Sequence, residues 1–287
     1  MNGFNLSNIT DAKLGTTQLS SIYLGSTKLW PLGTDYSKEY LTFESLADNN
    51  RILWKLNGDM DAKTIEWSTD KTNWTSVTAT TRTVITTLNT GDKVYIKGSN
   101  ASYGATWGKY NYFSSDGEFN VYGNIMSLIH GDNFIGNNTL SGQCNFYFMF
   151  YNSKVVDASN LILPNACQNH TYSNMFNGCT SLINVPLMQQ TTTAYQSNIN
   201  MFDGCSSLLD GPTLLASSVN MYSYREMFRN CTLLRSVTVY AENLGASGFD
   251  NWLQNVSATG TFTKKSSMTL FPEGASGIPS GWTVIDV

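Results

Sequence analysis

A regular internal repeat is the feature of this sequence that most constrains its fold. A Met-Phe pair recurs at constant spacing, with the methionines at positions 149, 175, 201 and 227. One unit of this length cannot bury its own apolar face, whereas stacked copies bury a continuous core. The repeat therefore predicts a solenoid over residues 126–251. Its expected core consists of Met149, Phe150, Met175, Phe176, Cys179, Leu182, Met201, Phe202, Cys205, Leu208, Met227, Phe228, Cys231 and Leu234.

The spacing within each repeat predicts a helical turn followed by a strand. The apolar residues fall at i, i+3, i+4 and i+7, which is one stripe of a short helix. In the second copy they are Tyr172, Met175, Phe176 and Cys179. We expect the helical turn to end near Gly178, where a left-handed residue is easily placed, and an extended apolar segment to follow at 182–187. The expected fold class is α+β, rich in β-structure.

Residues 36–125 predict an antiparallel β-sandwich. Short runs rich in strand-forming residues are separated by turn signals such as Asn57-Gly58, and this spacing is typical of a sandwich. The runs are 40–46, 51–56, 63–68, 83–88 and 93–97.

The two ends of the chain predict smaller modules. Residues 1–35 hold a short repeat of their own, Leu14-Gly15 recurring as Leu24-Gly25, and are too poor in apolar residues to fold alone. We expect this segment to order against another subunit or a particle. Residues 252–287 are expected to cap the solenoid with a β-hairpin formed by 260–264 and 281–285, because a solenoid end exposes apolar surface.

The repeat resembles a known family. Residues 175–182 read Met-Phe-Asn-Gly-Cys-Thr-Ser-Leu, and 201–208 match them closely. This pattern resembles the phenylalanine–cysteine–leucine core of BspA-type leucine-rich repeats. The fourth copy departs from it at Asn230, and the first copy departs at both the glycine and the cysteine. The resemblance implies a leucine-rich-repeat solenoid of period 26.

The whole layout resembles structural proteins of phages that infect gut Bacteroides, including the crAss-like phages. The resemblance is carried by Gly-Ser-Thr-Lys-Leu-Trp-Pro at 25–31 and Phe-Asn-Val-Tyr-Gly-Asn-Ile-Met-Ser-Leu at 119–128. It implies a head fibre or tail fibre, assembled in the host cytoplasm, located on the virion and expected to be a homotrimer. The residues expected to attach it to capsid or tail proteins are Leu14, Leu19, Tyr23, Leu24, Leu29 and Trp30.

An alternative is a bacterial cell-surface adhesin of the same repeat class. Such a protein needs an export signal or a lipid anchor, and residues 1–10 show neither a basic nor an apolar signal region. The sequence therefore favours the virion role. In either case the exposed face is expected to bind a host-surface or mucosal glycan or a protein. Its candidate contact residues are Tyr195, Tyr222, Tyr224 and Tyr240, which could also merely pack.

Composition excludes two classes of partner. The net charge is −4, and no cluster of lysine and arginine provides the basic footprint that nucleic acids require. No apolar run approaches the length of a membrane span. We therefore expect neither a nucleic acid nor a membrane as partner.

The candidates for catalysis and metal binding are weak, so we expect no enzyme, no cofactor and no metal. His170 follows Cys167 by three positions, but a thiol–imidazole pair also needs an orienting group; His130 is expected to make a junctional hydrogen bond. The cysteines of the repeats are expected to be buried thiols rather than zinc ligands. The possible carboxylate pairs, none in a recognisable glycosidase setting, are Asp116 with Glu118, Asp203 with Asp210, and Glu226 with Asp250.

Overall fold

The structure is a computed structural model that describes residues 34–106, 108–269 and 271–287, together with the backbone of four short strands between residues 13 and 30. Its contacts divide the chain into two compact units, Met1–Tyr36 and Ser37–Val287. In the first unit, β1 (Lys13–Leu14) pairs with β2 (Thr17–Gln18), and β3 (Ile22–Leu24) pairs with β4 (Thr27–Trp30), both antiparallel. Each copy of the short N-terminal repeat therefore supplies one antiparallel pair.

Two sheets open the second unit, after a 3-10 turn at Tyr36–Lys38. Their strands are β5 (Leu41–Ser45), β6 (Asn50–Asn57), β7 (Thr64–Ser68), β8 (Thr75–Thr78), β9 (Thr83–Leu88), β10 (Lys93–Gly98), β11 (Gly104–Thr106), β12 (Lys109–Ser115), β13 (Phe119–Asn124) and β14 (Leu161–Ile162). The first sheet has the order β14-β13-β5-β10-β7-β8, and the second has the order β11-β12-β6-β9. All pairs are antiparallel except β13 with β14. The predicted antiparallel sheets are thus confirmed.

Aromatic side chains from both sheets meet in one core. The ring of Phe113 lies 4.9 Å from that of Phe43 and 4.5 Å from that of Trp54. Phe150, which belongs to the repeats, reaches the same place, with its ring 5.9 Å from Phe43 and 6.1 Å from Phe113. The hydrophobic core of the sheets is therefore continuous with the core of the repeats.

A short junction follows the sheets. It consists of α1 (Ser127–His130) and a 3-10 turn at Gly131–Asn133, and α1 is the one α-helix among the described residues. The Ser127 hydroxyl donates a hydrogen bond to the Ile96 carbonyl and accepts one from the Leu41 N–H. The junction is thereby fixed to both β5 and β10. No helix in the described parts of the chain is long and apolar enough to cross a membrane.

The repeats stack as a β-solenoid, as predicted for the C-terminal region. The phenyl rings of Phe150, Phe176, Phe202 and Phe228 form one column, with successive centroids 5.2, 5.6 and 5.5 Å apart and planes within 16° of parallel. All the residues that the sequence assigns to the repeat core are fully buried. Each coil therefore covers the apolar side of its neighbour.

The cysteines of three coils lie beside this column as free thiols. Each thiol contacts a carbonyl of the preceding coil: Cys179 contacts Phe150 at 2.9 Å, Cys205 contacts Phe176 at 3.2 Å, and Cys231 contacts Phe202 at 3.0 Å. Burial raises the pKa of the Cys179 thiol to about 12 and holds that of Cys205 well above its usual range. These thiols pack as small apolar groups that also satisfy a carbonyl.

The predicted helical turns are wrong. The segments form successive tight turns with a left-handed residue at every fourth position, for example His170 (φ 59°), Asn174 (φ 56°) and Gly178 (φ 75°). The Phe150 N–H donates to the Met175 carbonyl of the next coil at 2.8 Å, and Phe176 does the same one coil further on. A left-handed residue interrupts a right-handed helix, so these N–H groups bond between coils. Over so short a segment, a tight turn repeated every four residues places apolar side chains at i, i+3, i+4 and i+7, as a helix does. The sequence pattern therefore could not distinguish the two conformations.

The predicted C-terminal hairpin is also wrong. Strands β15 (Asp210–Leu214), β16 (Ser236–Val239), β17 (Gly260–Lys264) and β18 (Trp282–Asp286) form one sheet in sequence order, and every neighbouring pair is parallel. Parallel neighbours require a crossover between them, so β18 is the strand of a further coil rather than the return arm of a hairpin.

Candidate binding face

Four aromatic side chains line one edge of the solenoid, and we call them the aromatic row: Tyr147, His170, Tyr195 and Tyr222. Successive ring centroids lie 6.2, 5.6 and 6.0 Å apart, and each pair meets edge to face. Each ring comes from the turn that carries the first left-handed residue of its coil. Because the turn recurs in every coil, the stacking brings together rings from four different coils that are far apart in sequence.

The aromatic row continues onto the second sheet. Tyr110, in β12, stacks on Phe148 with centroids 4.3 Å apart and planes 12° apart, and its ring lies 6.2 Å from Tyr147. At the other end, the Arg225 guanidinium lies 5.5 Å from the Tyr222 ring. Burial raises the pKa of the Tyr147 hydroxyl above its ordinary value.

A cavity of about 310 Å³ opens beside the aromatic row. Its walls in the solenoid are Gln143, Cys144, Tyr147, His170, Tyr195 and Gln196, and Ala105 of β11 closes the side facing the sheet. Of the residues that the structure describes, none that lines this cavity is an acid, a lysine or an arginine. The cavity therefore combines aromatic rings with neutral hydrogen-bonding groups, which is the usual chemistry of a small-ligand site.

Two titratable groups of the cavity remain uncharged at neutral pH. Burial lowers the pKa of the His170 imidazole, whose Nδ1 lies 3.4 Å from the Ser173 hydroxyl. Burial raises the pKa of the Cys144 thiol to about 11, and this thiol lies 3.8 Å from the Ala105 carbonyl. A thiol held in its protonated form is a poor nucleophile, so the cavity offers recognition groups rather than an activated attacking group.

The predicted ligand-face tyrosines are separated by the fold. Tyr195 is 37% exposed and Tyr222 is half-buried, and both belong to the aromatic row. Tyr240 is half-buried and follows β16, where its N–H donates to the Leu214 carbonyl. Tyr224 is 1% exposed and packs against Phe249, which is the second of the two roles that the sequence left open for these tyrosines.

Sequence reasoning missed Tyr147, and it weighed His170 only as a partner of Cys167. Only His170 and Tyr222 occupy equivalent positions of the repeat, in the second and fourth coils; Tyr195 lies one position earlier in its coil and Tyr147 three positions later in its own. The signal in the sequence was one aromatic residue or histidine near the start of each coil. A contact between these residues can be inferred only once the turns are known to be stacked.

The candidate catalytic groups have other partners. The Cys167 thiol contacts the Thr192 carbonyl at 3.5 Å, and His130 Nε2 lies 2.9 Å from the Thr139 carbonyl. Asp116 pairs with Arg51, while Glu118 accepts a hydrogen bond from the Ser181 hydroxyl at 2.9 Å.

The remaining carboxylates lie within the coils, and two of them share one arginine. Arg229 bridges Asp203 at 2.5 Å and Glu226 at 2.6 Å. Asp210 begins β15, and the Asp250 carbonyl accepts from the Glu226 N–H. Within the described ranges, no three His, Cys, Asp or Glu side chains are placed to hold a metal ion.

The residues expected to attach the protein to a virion lie at the start of the chain. Leu14, Tyr23, Leu24, Leu29 and Trp30 belong to strands β1, β3 and β4, of which the backbone is described. Their side chains, and the whole of Leu19, lie outside the described residues.

Together, these features define a β-rich protein with a C-terminal β-solenoid, in which an aromatic row borders a cavity whose described lining carries no acid, lysine or arginine. Comparisons with protein-family models, with curated proteins and with solved structures find no match for the chain.

Proposed function

We propose that this chain is a phage virion structural protein, a head fibre or tail fibre, that displays the aromatic row to a host-surface or mucosal glycan or protein. The observation that carries this proposal is the row itself. Four rings from four coils contact one another in sequence; His170, Tyr195 and Tyr222 keep exposed surface, while Tyr147, only 3% exposed, holds the end of the row. Tyrosine is enriched at binding faces because it supplies a large contact area with few rotatable bonds.

The stacked core supports a display role. A row mounted on turns that are hydrogen-bonded from coil to coil loses little conformational entropy when a ligand binds. We propose that this scaffold is a leucine-rich-repeat solenoid of the BspA type with period 26, and that the two upstream sheets form a β-sandwich. The column of phenyl rings at one position of every coil supports the first assignment. The shared core of Phe43, Trp54 and Phe113 supports the second.

The division of the chain into two compact units supports a separate attachment role for the first one. We propose that residues 1–35 attach the protein to capsid or tail proteins and that it assembles as a homotrimer. Several apolar side chains of the solenoid are exposed to solvent, including Ile183, Leu187 and Leu233 at 45%, 68% and 53%. Contact between subunits would remove such surface from water.

We also propose that the protein has no catalytic activity. The thiols of Cys179, Cys205 and Cys231 are buried and protonated, and the buried carboxylate Asp203 is neutralised by Arg229. An activated nucleophile or an opposed pair of free carboxylates would be needed for the chemistry considered above.

Localisation on particles tests the proposal. The chain, tagged at its C-terminus, is expressed in a host cell during phage infection, and purified virions are imaged by immunogold electron microscopy. We expect gold at the head or the tail for the full chain and none after deletion of residues 1–31. Gold on the bacterial surface and not on virions would contradict the proposal, as would incorporation that is unchanged by the deletion. Light scattering of the purified chain tests the homotrimer, which a monomer would contradict.

A further inference from the structure

We propose that the cavity beside Tyr147, His170 and Tyr195 binds one neutral pyranose residue of a glycan. This inference rests on the display role proposed above, because that role gives the site its biological purpose. Its ligand class follows from the size, the charge and the polar groups of the cavity, which are argued in turn.

The size of the cavity favours a single ring. Small-ligand sites occupy roughly 300–1,000 Å³, and this cavity, at about 310 Å³, stands at the lower end. Tyr195, which lines the cavity, contacts Tyr222, so the neighbouring residues of a longer glycan can continue over these two rings. The row then provides further contact without a second closed pocket.

The charge of the cavity favours a neutral sugar over an acidic one. Binding a carboxylate or a sulfate without a cation leaves an anion poorly paired, which costs free energy. None of the described residues that line the cavity is a lysine or an arginine, and His170 is neutral because burial disfavours its charged form. Arg225 contacts Tyr222 at the far end of the row, two rings away from His170.

The polar groups suit vicinal hydroxyls. A sugar hydroxyl both donates and accepts, and so does a primary amide through its NH₂ and carbonyl oxygen. Gln143 and Gln196 place two such amides at the cavity. The backbone of Gln196 is fixed, because its N–H donates to the Met221 carbonyl at 3.1 Å and its carbonyl accepts from the Ser173 hydroxyl at 2.5 Å.

The rings suit the apolar face of a pyranose. Tyr195 is held by edge-to-face contacts with His170 on one side and Tyr222 on the other, yet more than a third of it is exposed. A ring that is both fixed and accessible offers stacking area at a low entropic cost. The combination of this ring with two amides and no charge carries the proposal.

Saturation-transfer NMR on the purified full chain tests the site. The ligands are the methyl glycosides of galactose, mannose, N-acetylglucosamine and N-acetylgalactosamine, with methyl glucuronide as the acidic comparison. We expect transfer to at least one neutral glycoside and a weaker signal for the glucuronide. Transfer to none of the four, or a preference for the glucuronide, overturns the proposal. Binding of a peptide displayed in a library, competed by none of the sugars, overturns it as well.

Variants connect the signal to the cavity. Tyr195→Ala is expected to weaken binding about tenfold or more, by loss of a stacking partner, and Gln143→Ala, at an exposed position, to weaken it by loss of an amide. Tyr195→Phe retains the ring and is expected to retain most of the affinity. The matched control is Tyr240→Ala, which removes a tyrosine outside the cavity. Binding that survives both Tyr195→Ala and Gln143→Ala overturns the assignment.

The outcome is independent of where the protein resides. Sugar binding by the purified chain without any incorporation into virions leaves the cavity assignment standing and removes the virion role. Incorporation into virions without sugar binding leaves the virion role standing and removes the cavity assignment.

Discussion

Phe176 and Phe202 stack with their ring centroids 5.6 Å apart and their planes 9° from parallel, although they belong to successive coils of the chain. Both side chains are fully buried. Each of these rings contacts one ring in the preceding coil and one in the following coil. Loss of either ring would therefore leave a buried cavity with apolar walls.

Removing one ring from the middle of this column should destabilise the protein strongly. Phe202→Ala is expected to lower the free energy of unfolding by about 3–5 kcal/mol, because a buried phenyl group is lost and a cavity remains. Urea unfolding followed by circular dichroism measures the change. Leu187→Ala, at a position 68% exposed, is the control and should have little effect. An unchanged unfolding curve for Phe202→Ala would contradict the stacked core.

The buried thiols predict a loss of stability in alkaline solution. The folded-state pKa of Cys179 is raised from 9.0 to about 12 by burial, so the unfolded chain releases its proton first as the pH rises. The stabilising contribution is fully present below about pH 9 and decreases between about pH 9 and 12. Urea unfolding at a series of pH values measures this decrease. Cys179→Ala should show a shallower dependence, and an equally steep one would refute the assignment to this thiol.

Two glycines in equivalent positions offer a matched comparison. Gly178 and Gly204 have φ of 75° and 76°, so alanine is strained at both, by about 1–2 kcal/mol. A Cβ at Gly178 would also lie 1.8 Å from Asn152 Oδ1, whereas at Gly204 its nearest neighbours are 3.7 Å away. We expect Gly178→Ala to be the more destabilising, by about 1 kcal/mol or more.

Asparagine provides the control for this comparison. Asn152 and Asn230 occupy the same position in the first and fourth coils, with φ of 50° and 62°, and asparagine tolerates the left-handed region better than alanine does. Gly204→Asn should therefore cost less than Gly204→Ala in urea unfolding. The opposite order would show that something other than backbone strain selects the residue here.

A charged cluster of Arg229, Asp203 and Glu226 predicts a further stability effect. Arg229 bridges Asp203 and Glu226, whose side chains are only 8% and 14% exposed. Arg229→Ala leaves the nearly buried Asp203 without its cation, whereas Glu226 keeps Arg225 at 3.2 Å. The variant should cost about 2 kcal/mol. Arg82→Ala removes an arginine that is 59% exposed and 3.6 Å from Asp116, and should cost well under about 1 kcal/mol. Equal losses for the two variants would show that the cluster is screened by solvent.

The sequence predicted the solenoid and the antiparallel sheets because both depend on patterns that burial imposes directly. A residue that must face the core in every coil recurs at the period of the coil, as Phe176 and Phe202 do. The backbone conformation between those residues was predicted wrongly. The apolar stripe is too short to separate a period of four from a period of about 3.6, and the left-handed residues Asn174 and His170 gave the only hint.

The aromatic row could not be predicted from the sequence, for a different reason. Tyr195 was recognised as a candidate contact residue, but His170 becomes its neighbour, and Tyr147 the neighbour of His170, only through the stacking of successive coils. Tyr224 is the opposite case, a candidate contact residue that the structure places in the core. It was grouped with the surface tyrosines, although its position in the apolar stripe already favoured the core.

The identical backbone hydrogen bonds between coils have an evolutionary consequence. An in-frame loss of residues 176–201 would bring the surroundings of Phe150 against those of Phe202, with the same ring and the same carbonyl acceptors in place. Genes for such a chain can therefore lengthen or shorten by recombination between copies, provided that the exchange spans a whole unit. Smaller gains or losses inside a unit have no such tolerance, because they would rotate every later side chain out of its column.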